Sequence, residues 1–329
     1  MVRSGSQLVP TLDCLLGWGM KWWFVVLTVG SLFNANAEER SRDLVRAVER
    51  AMPFIEKEGA WWIEDKACVS CHHSTFLTWA KDLAVEAGIE VDPVKLDQQR
   101  TWVWESMMNP VQAKEGQKVK EGELNGDRNV EGVSQLLVSA SRRHVPDEVL
   151  KSLQEIIERN QNEEEQWKPG GQLPRQKRSA AETQWTSNQW AVAALRSDGP
   201  AEIETVTGSQ EIAAKTSEWY AMNVVLDSSD EAMEILLARQ NDDGGWSWID
   251  GEGSDPTGTG QALFAISRAG MLDQRSDAVT RAQNFLLATQ AKDGRWKTMS
   301  TMDRKKSSRI SDFWGSAWAV IGLLESKSD

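Results

Sequence analysis

The chain has 329 residues, of which 40% are hydrophobic and only nine are proline, a composition typical of a folded globular protein. Its 49 acidic residues outnumber its 37 basic residues, which gives a net charge of −12. Because nucleic-acid binding depends on basic surface that displaces counterions, we expect no nucleic-acid partner. We expect the one basic cluster, residues 175–178, to be solvated, since it lies in a polar Pro/Gly loop.

The first 37 residues are typical of an export signal. Met20-Lys21 precede an apolar run that starts at Trp22, and Ala35-Asn36-Ala37 matches the A-x-A cleavage pattern. We predict a signal peptide over residues 1–37, with translation starting at Met1 or at Met20. The alternative is an uncleaved anchor, although the apolar run is shorter than the ~20 residues needed to span a bilayer. We expect a periplasmic or extracellular protein with no stable membrane span after cleavage.

A C-x-x-C-H motif follows the first predicted helix. In the segment Cys68-Val69-Ser70-Cys71-His72, two thiols have the spacing that captures haem vinyl groups, and the histidine is placed to bind iron. The third cysteine, Cys14, lies in the predicted signal peptide, so the mature chain would keep its cysteines in this motif alone. The motif predicts a covalent haem c held by Cys68, Cys71 and His72.

Two other interpretations of the motif remain open. Export favours disulfides, so Cys68 and Cys71 could form a disulfide or a dithiol redox pair, although no thioredoxin-like context surrounds them. Alternatively, Cys68, Cys71, His72 and His73 could bind zinc or copper. Four ligands within six residues give poor tetrahedral geometry unless a distant group helps.

A haem at this motif lacks an obvious sixth ligand. His73 is adjacent to His72 and cannot reach the opposite face of the same haem, while His144 falls at the far end of its predicted helix. Met107 and Met108 lie in a partner helix, where methionine is usually core packing. An open iron position favours ligand binding, sensing or peroxide chemistry over simple electron transfer.

Two segments fifty residues apart share one pattern. In residues 235–246 and 285–296, an apolar helix ends at Gln240 or Gln290, an Asp-Gly turn follows, and tryptophan lies six residues beyond the glutamine. A side-chain amide and an indole N–H at a helix end can hydrogen-bond and tie that end to the next hairpin. The seventeen tryptophans, against a single tyrosine, fit such a recurring packing role.

A second register recurs through six predicted inner helices. These segments are 75–80, 132–137, 186–195, 216–222, 257–266 and 314–323, and their predicted partner helices are 41–57, 94–108, 147–160, a shortened element within 200–210, 229–240 and 277–290. The apolar spacing is helical throughout, so we predict an all-α protein. Because one hairpin cannot bury its apolar face alone, about six hairpins are expected to stack into a closed ring.

The Gln-to-Trp motifs, together with residues 255–263, resemble the repeats of squalene-hopene and oxidosqualene cyclases and related prenyltransferase α/α toroids. The resemblance is strong over 229–325 and weak before it. It implies one α/α-toroid domain over 38–329, with the N-termini of the inner helices around a central cavity. The D-x-D-D acid motif of the cyclases and the zinc spacing of the prenyltransferases are both missing from this sequence.

The repeat frame implies a set of residues around that cavity. The candidates are Asp127, Arg128, Glu131, Glu182, Trp185, Lys215, Glu218, Asp255, Thr257, Asp312 and Trp314. Each of them could instead cap its own helix or lie on the surface. Several acids that met in one cavity would raise one another's pKa values, which capping does not explain.

These observations predict an exported toroid with a covalent haem in a redox, ligand-binding or sensory role. Its expected partners are a redox protein or a small hydrophobic ligand. The alternative functions are a terpenoid cyclase-like or lyase-like enzyme acting on a lipid or sugar in the cavity, and a Cys/His metal-binding scaffold. Whether the protein is an enzyme stays open from the sequence.

Overall fold

The computed structural model describes residues 19–68, 73–112, 115–116, 118–171, 173–197 and 213–327, with side chains from residue 38 onward. Over these ranges the chain is helical, and its β-type pairing is limited to isolated bridges. The α-helices are α1 Gly19–Trp61, α2 Ser74–Glu86, α3 Pro93–Met108, α4 Val130–Val138, α5 Asp147–Arg159, α6 Ala180–Arg196, α7 Ser217–Leu226, α8 Asp230–Leu237, α9 Pro256–Arg268, α10 Ser276–Thr289 and α11 Arg309–Glu325.

The described residues fall into two compact units, one ending at Asp43 and the other spanning Leu44–Lys327. Helix α1 contributes to both of them and includes the predicted helix 41–57. Among the described residues, no helix is long and apolar enough to cross a membrane. The signal peptide and its cleavage site stay predictions, and residues 1–18, which include Cys14, lie outside the described part of the chain.

Six inner helices form a closed ring within the larger unit. Helices α2, α4, α6, α7, α9 and α11 pack against one another in chain order, and α11 packs back against α2. The prediction of an all-α toroid is confirmed, and each inner segment of the predicted register lies in one of these helices, except that Thr216 is the N-cap of α7. Helices α1, α3, α5, α8 and α10 are the partner helices, while the shortened partner expected within 200–210 lies outside the described residues.

Aromatic rings fill the middle of this ring of helices. Trp79 on α2 lies 5.3 Å from Phe264 on α9, and Trp190 on α6 lies 6.4 Å from Trp318 on α11, as measured between ring centroids. Each of these contacts joins helices that are not neighbours in the ring. All four rings are buried, so the inner faces of the helices meet in a packed aromatic core.

Close backbone approach holds α9 against α11. A Cβ atom at Gly260 would lie 2.2 Å from the carbonyl oxygen of Trp318, and a Cβ at Gly322 would lie 2.8 Å from the Cα of Gly260. Any side chain at these two positions would push the helices apart. Glycine is therefore required for this contact because it has no Cβ atom.

The Gln-to-Trp motifs tie the partner helices together. Gln240 Nε2 donates to Gly244 O at 2.8 Å and to Ala278 O, on the following partner helix α10, at 2.9 Å. Trp246 Nε1 donates back to Leu236 O at 2.8 Å. The glutamine thus joins two partner helices, and the tryptophan caps the end of the helix that precedes it.

The glutamine bond also closes the outer layer, and the tryptophan cap recurs once more than the sequence suggested. Gln290 Nε2 donates to Ala47 O on α1 at 2.8 Å, which links the last partner helix to the first. Trp167, six residues after Gln161, donates its indole N–H to Ile157 O at 2.7 Å. In this third copy too, the accepting carbonyl lies ten residues before the tryptophan, as it does for Trp246.

Candidate functional site

The first cysteine of the C-x-x-C-H motif lies in an exposed turn between α1 and α2. A π-helical turn, Trp62–Lys66, extends α1 and ends at Ala67, whose backbone is left-handed with a φ of 45°. Cys68 is exposed, and its carbonyl oxygen accepts a hydrogen bond from Trp62 Nε1 at 2.7 Å. Residues 69–72, which hold the second cysteine and the first histidine of the motif, lie outside the described residues.

His73 is built into the aromatic packing beneath this turn. Its ring lies between Trp62, at 4.1 Å with an interplanar angle of 18°, and Phe313 on α11, at 4.3 Å with an angle of 9°. The side chain is fully buried, whereas Cys68 is exposed. Of the four residues considered for zinc or copper, His73 therefore serves as a packing element between α1 and α11.

Cations lie over the ring of Trp61, the residue before Trp62, whose indole bonds the Cys68 carbonyl. The Arg309 guanidinium lies 3.5 Å above the centre of the Trp61 ring, and Lys66 Nζ lies 5.2 Å from it. Arg309 also pairs with Glu58. Trp61 is half-buried, so part of this aromatic and cationic surface is open to solvent.

Glu182, one of the candidate cavity residues, caps the start of α7. Its Oε1 atom accepts hydrogen bonds from Lys215 N at 3.1 Å, Thr216 N at 2.8 Å and Thr216 Oγ1 at 2.6 Å. The Lys215 residue is itself exposed. The local geometry of both candidates is thus that of a helix cap and a surface residue.

The candidate aspartates before α9 and within α11 also satisfy backbone donors. Asp255 accepts from Gly258 N at 3.0 Å and pairs with Arg304 at 3.0 Å, while Asp312 accepts from Thr298 N at 2.9 Å. Burial raises the pKa of both carboxyl groups above the ordinary value. Their hydrogen bonds nevertheless go to turns and helix starts next to them, which is capping behaviour.

Asp127 and Arg128 point to partners outside the ring of inner helices. Asp127 accepts from Arg159 Nε at 2.8 Å and from Asn160 Nδ2 at 2.6 Å, both on or next to α5. Burial acts to raise the pKa of Asp127, but these hydrogen bonds outweigh it and hold the pKa below the ordinary value. Arg128 binds Glu123 at 2.9 Å.

Three further candidates are packing residues. Trp185 is half-buried against the main hydrophobic core, and Trp314 lies edge-on to Phe76 with ring centroids 6.3 Å apart. Thr257, at the start of α9, is fully buried, and its Oγ1 atom has no hydrogen-bond partner among the described residues.

Two of the predicted acids, Glu218 and Glu131, interact electrostatically. Glu218 on α7 accepts from Arg178 Nη1 at 2.9 Å and from Trp190 Nε1 at 3.0 Å. Glu131 on α4 accepts from Gln135 Nε2 at 3.1 Å. The negative charge of Glu218 raises the pKa of Glu131. These five residues form what we term the Glu131 cluster.

Arg178 corrects one sequence-based expectation. We expected residues 175–178 to be a solvated basic cluster, but the Arg178 side chain is 0% exposed. It enters the interior from the turn just before α6, where Nη1 also bonds Thr186 Oγ1 at 3.2 Å. A basic residue in a polar loop carries no local signal for burial, because its burial depends on an acid, Glu218, that lies forty residues away.

The pKa of Glu131 is raised by its surroundings. Burial raises its pKa well above the ordinary value, the nearby charge of Glu218 raises it further, and the guanidinium of Arg178 opposes both. Because Oε1 accepts from Gln135, the acid proton is best placed on Oε2. The cluster therefore combines a buried acid whose pKa is raised with a second acid, Glu218, that is paired with an arginine.

Four polar atoms of the cluster lack a hydrogen-bond partner among the described residues. They are Oε2 of Glu131, Oε1 of Gln135, and Nε and Nη2 of Arg178, and each is buried from solvent. Leaving a buried donor or acceptor unpaired costs about 1–3 kcal/mol, and more for a charged group.

Outside this cluster, the described residues contain an open cavity of about 400 Å³ among α1, α2 and α3. Apolar side chains such as Met52 and Ile89 line it beside the buried Lys81, which pairs with Glu56 and Gln99. No group of three or more His, Cys, Asp or Glu residues that could hold a metal ion occurs in the described part of the chain.

The closed double layer of helices defines the chain as an α/α toroid. No protein-family model matches the sequence, and no curated protein matches it either. Among solved structures, the chain is similar to the crystal structure of "a possible member of GH105 family from Klebsiella pneumoniae subsp. pneumoniae MGH 78578", with 11% identity, a TM-score of 0.43, and coverage of 88% of this chain and 92% of that chain. This distant similarity assigns no activity, and the relation to squalene-cyclase repeats stays a sequence-based interpretation.

Proposed function

We propose that this α/α toroid is an exported protein that binds haem covalently through Cys68 and Cys71, with His72 as the iron ligand. The observation that supports this most directly is the position of His73, whose ring is stacked between Trp62 and Phe313. Because the His73 ring is packed between two aromatic rings, the remaining potential ligands of the motif are two cysteines and one histidine. That is the donor set of a c-type haem and one ligand short of the proposed zinc or copper site.

The described residues near Cys68 in sequence, together with Arg309, have features that suit a haem. A haem has two apolar faces and two negatively charged propionates, and the half-buried Trp61 ring with Arg309 and Lys66 offers apolar and cationic surface. The indole of Trp62 holds the Cys68 carbonyl and so restrains the start of the motif. When bound, haem iron supplies ligand-binding or one-electron chemistry, which supports a redox, ligand-binding or sensory role.

The direct test is an absorption spectrum of the full chain, exported from cells with working haem-attachment machinery. A Soret band that survives acid-acetone extraction is expected for the wild type, and it should be lost from C68A and C71A. His72→Gln should change the iron spectrum. The matched control is His144→Gln, since His144 is 37% exposed and lies outside the motif.

A wild-type protein without a Soret band, from cells that load a control cytochrome c, would contradict the proposal. One equivalent of zinc or copper in that same preparation would favour the metal-binding scaffold. A disulfide between the two cysteines, without haem or metal, would favour the structural alternative.

A further inference from the structure

The open cavity among α1, α2 and α3 lies away from the C-x-x-C-H motif. Its walls come from residues 49–56 of α1, from Lys81 on α2 and from the connection between α2 and α3. These residues lie toward the C-terminal end of α2, whereas the motif precedes its N-terminal end. The cavity volume of about 400 Å³ is within the range of about 300–1,000 Å³ that is typical of small-molecule sites.

The apolar part of the wall suits an aliphatic group. It is made of Met52 and Pro53 on α1 and of Ile89 and Val91 on the connection to α3. Met52 and Ile89 are buried, so they form a fixed surface. No aromatic side chain is among the described residues that line the cavity, so it offers no cation–π contact to a quaternary ammonium group.

Pro53 leaves a backbone acceptor at this wall. It lies inside α1, where the N–H group of residue 53 would normally donate to the carbonyl oxygen of Glu49. Proline has no N–H group, so this oxygen lacks its helical donor. Glu49 and Pro53 both line the cavity, and a ligand N–H group can supply the missing hydrogen bond.

The charged side chains of the cavity favour a cation. Lys81 is 2% exposed, and its charge is balanced by its ion pair with Glu56. Glu49 and Glu90 are exposed and take part in none of the ion pairs among the described residues. The charged lining residues are Glu49, Glu56, Glu90 and Asp92 on the acidic side, and Lys81 and Lys95 on the basic side. The excess of acids attracts a cation and repels an anion.

We propose that this cavity binds a small primary amine with an aliphatic body, in its protonated form. The aliphatic body packs against Met52, Ile89 and Val91. The ammonium group donates hydrogen bonds to the carbonyl oxygen of Glu49 and to the carboxylates at the rim. This site is independent of the haem proposed at Cys68.

The test is calorimetric titration of the full-length protein with four probes that share a hexyl chain: n-hexylamine, 1-hexanol, sodium hexanoate and hexyltrimethylammonium. We expect n-hexylamine, which is protonated near neutral pH, to bind most tightly. Hexanol should bind about tenfold more weakly, because it lacks the charge-assisted hydrogen bonds. Hexyltrimethylammonium should also be weaker, because it has no N–H group, and hexanoate should not bind.

Two variants locate the site. The double change Glu49→Gln with Glu90→Gln should weaken the binding of n-hexylamine about tenfold and leave that of hexanol unchanged. Val91→Trp, which fills the cavity from a half-buried position, should abolish the binding of both. The matched control is Glu105→Gln, an exposed acid of α3 outside the cavity lining, which should bind as the wild type does. A thermal melt checks that each variant is folded.

Several results would overturn the proposal. One is a wild-type protein that does not bind n-hexylamine, or that binds hexanol or hexanoate as tightly, since the cavity would then not select a cation. Equal binding of hexyltrimethylammonium would show that the N–H groups make no contribution. Unchanged amine binding in a folded Val91→Trp variant, or in the double glutamate variant, would place the amine elsewhere on the protein.

Discussion

The last two partner helices end in one way and the first partner helix ends in another. Helices α8 and α10 stop next to a glutamine that reaches the next partner helix, and a tryptophan six residues later turns back to cap the helix it follows. Helix α1 continues past the equivalent point. The glutamine bond between partner helices is therefore made after α8 and α10 but not at the end of α1, beside the C-x-x-C-H motif.

The glutamine bonds show which residues of the partner helices are equivalent. Ala278 and Ala47 each accept the glutamine amide of the preceding partner helix, so they hold equivalent places. Gln290 lies twelve residues after Ala278, and the residue twelve after Ala47 is Gly59, which cannot make the tie. The indole of Trp62 instead donates forward, to Cys68 O. In the first hairpin, a tryptophan thus holds the motif rather than its own helix.

The largest loss of stability is expected when a tryptophan that caps the preceding partner helix is removed. Trp296 is fully buried, and its indole N–H donates to Leu286 O at 2.8 Å. Trp296→Ala should lower the free energy of unfolding by about 3–5 kcal/mol, because it leaves a large cavity. Urea denaturation measures this. Trp296→Phe, which keeps most of the volume, should lose about 1 kcal/mol for the hydrogen bond.

Removing the glutamine that closes the outer layer should have the next largest effect. Gln290→Ala deletes the bond to Ala47 O and a second bond to Gly294 O, both at 2.8 Å. We expect a loss of about 1–2 kcal/mol in urea denaturation. Gln161→Ala is the control, since among the described residues its amide donates only to Glu165 O, at 3.2 Å. An equal loss in both variants would show that the bond between helices adds nothing.

The forward-donating tryptophan should affect the motif more than the fold. Trp62→Phe removes the hydrogen bond to Cys68 O but keeps a ring to stack on His73. Stability should fall by about 1 kcal/mol or less, while the yield of covalent haem should drop. Trp296→Phe should show the reverse, with normal haem yield. The ratio of Soret to protein absorbance measures the yield, and equal yields would mean that Trp62 is ordinary packing.

Because of Glu131, the folded state should become less stable as the pH rises. Its ordinary pKa is 4.5 and its folded pKa is raised well above that value, chiefly by burial. The folded state therefore holds a proton that the unfolded chain releases, so the free energy of unfolding falls as the pH rises from 4.5 through the raised pKa. Glu131→Gln should reduce that fall, as measured by urea midpoints between pH values of about 5 and about 8.

The control for this pH series is Glu182→Gln, the same chemical change in a buried acid whose carboxylate caps α7. Its loss of stability gives the cost of replacing a buried, hydrogen-bonded carboxyl group with an amide. Some slope should persist in Glu131→Gln as well, because burial also raises the pKa values of Asp255 and Asp312. An unchanged slope in Glu131→Gln would contradict the raised pKa.

Regular features of this protein could be predicted from its sequence because they repeat. The spacing from Gln240 to Trp246 recurs fifty residues on, and the helical register of the inner segments implies a ring. The third copy was missed because five polar residues, without the Asp-Gly turn, separate Gln161 from Trp167. Its geometry is kept by the indole bond to Ile157 and not by the turn sequence.

The candidate site was harder to predict because its members look like caps. Glu131, Glu182 and Glu218 all occur near the starts of inner helices, and only the fold shows which of them meet. Glu182 faces the backbone of α7, whereas Glu218 faces Arg178 across the cluster. Burial of an arginine depends on long-range pairing, which local composition does not encode.

The bond between Gln290 and Ala47 has a consequence for how the molecule comes apart. An open array of repeats has two end faces, and its terminal repeats can fray without disturbing the middle. In this protein the joint between the last and first partner helices uses the same contacts as the joint between α8 and α10. Because the last partner helix is bonded to the first, the unit Leu44–Lys327 should unfold in a single cooperative transition.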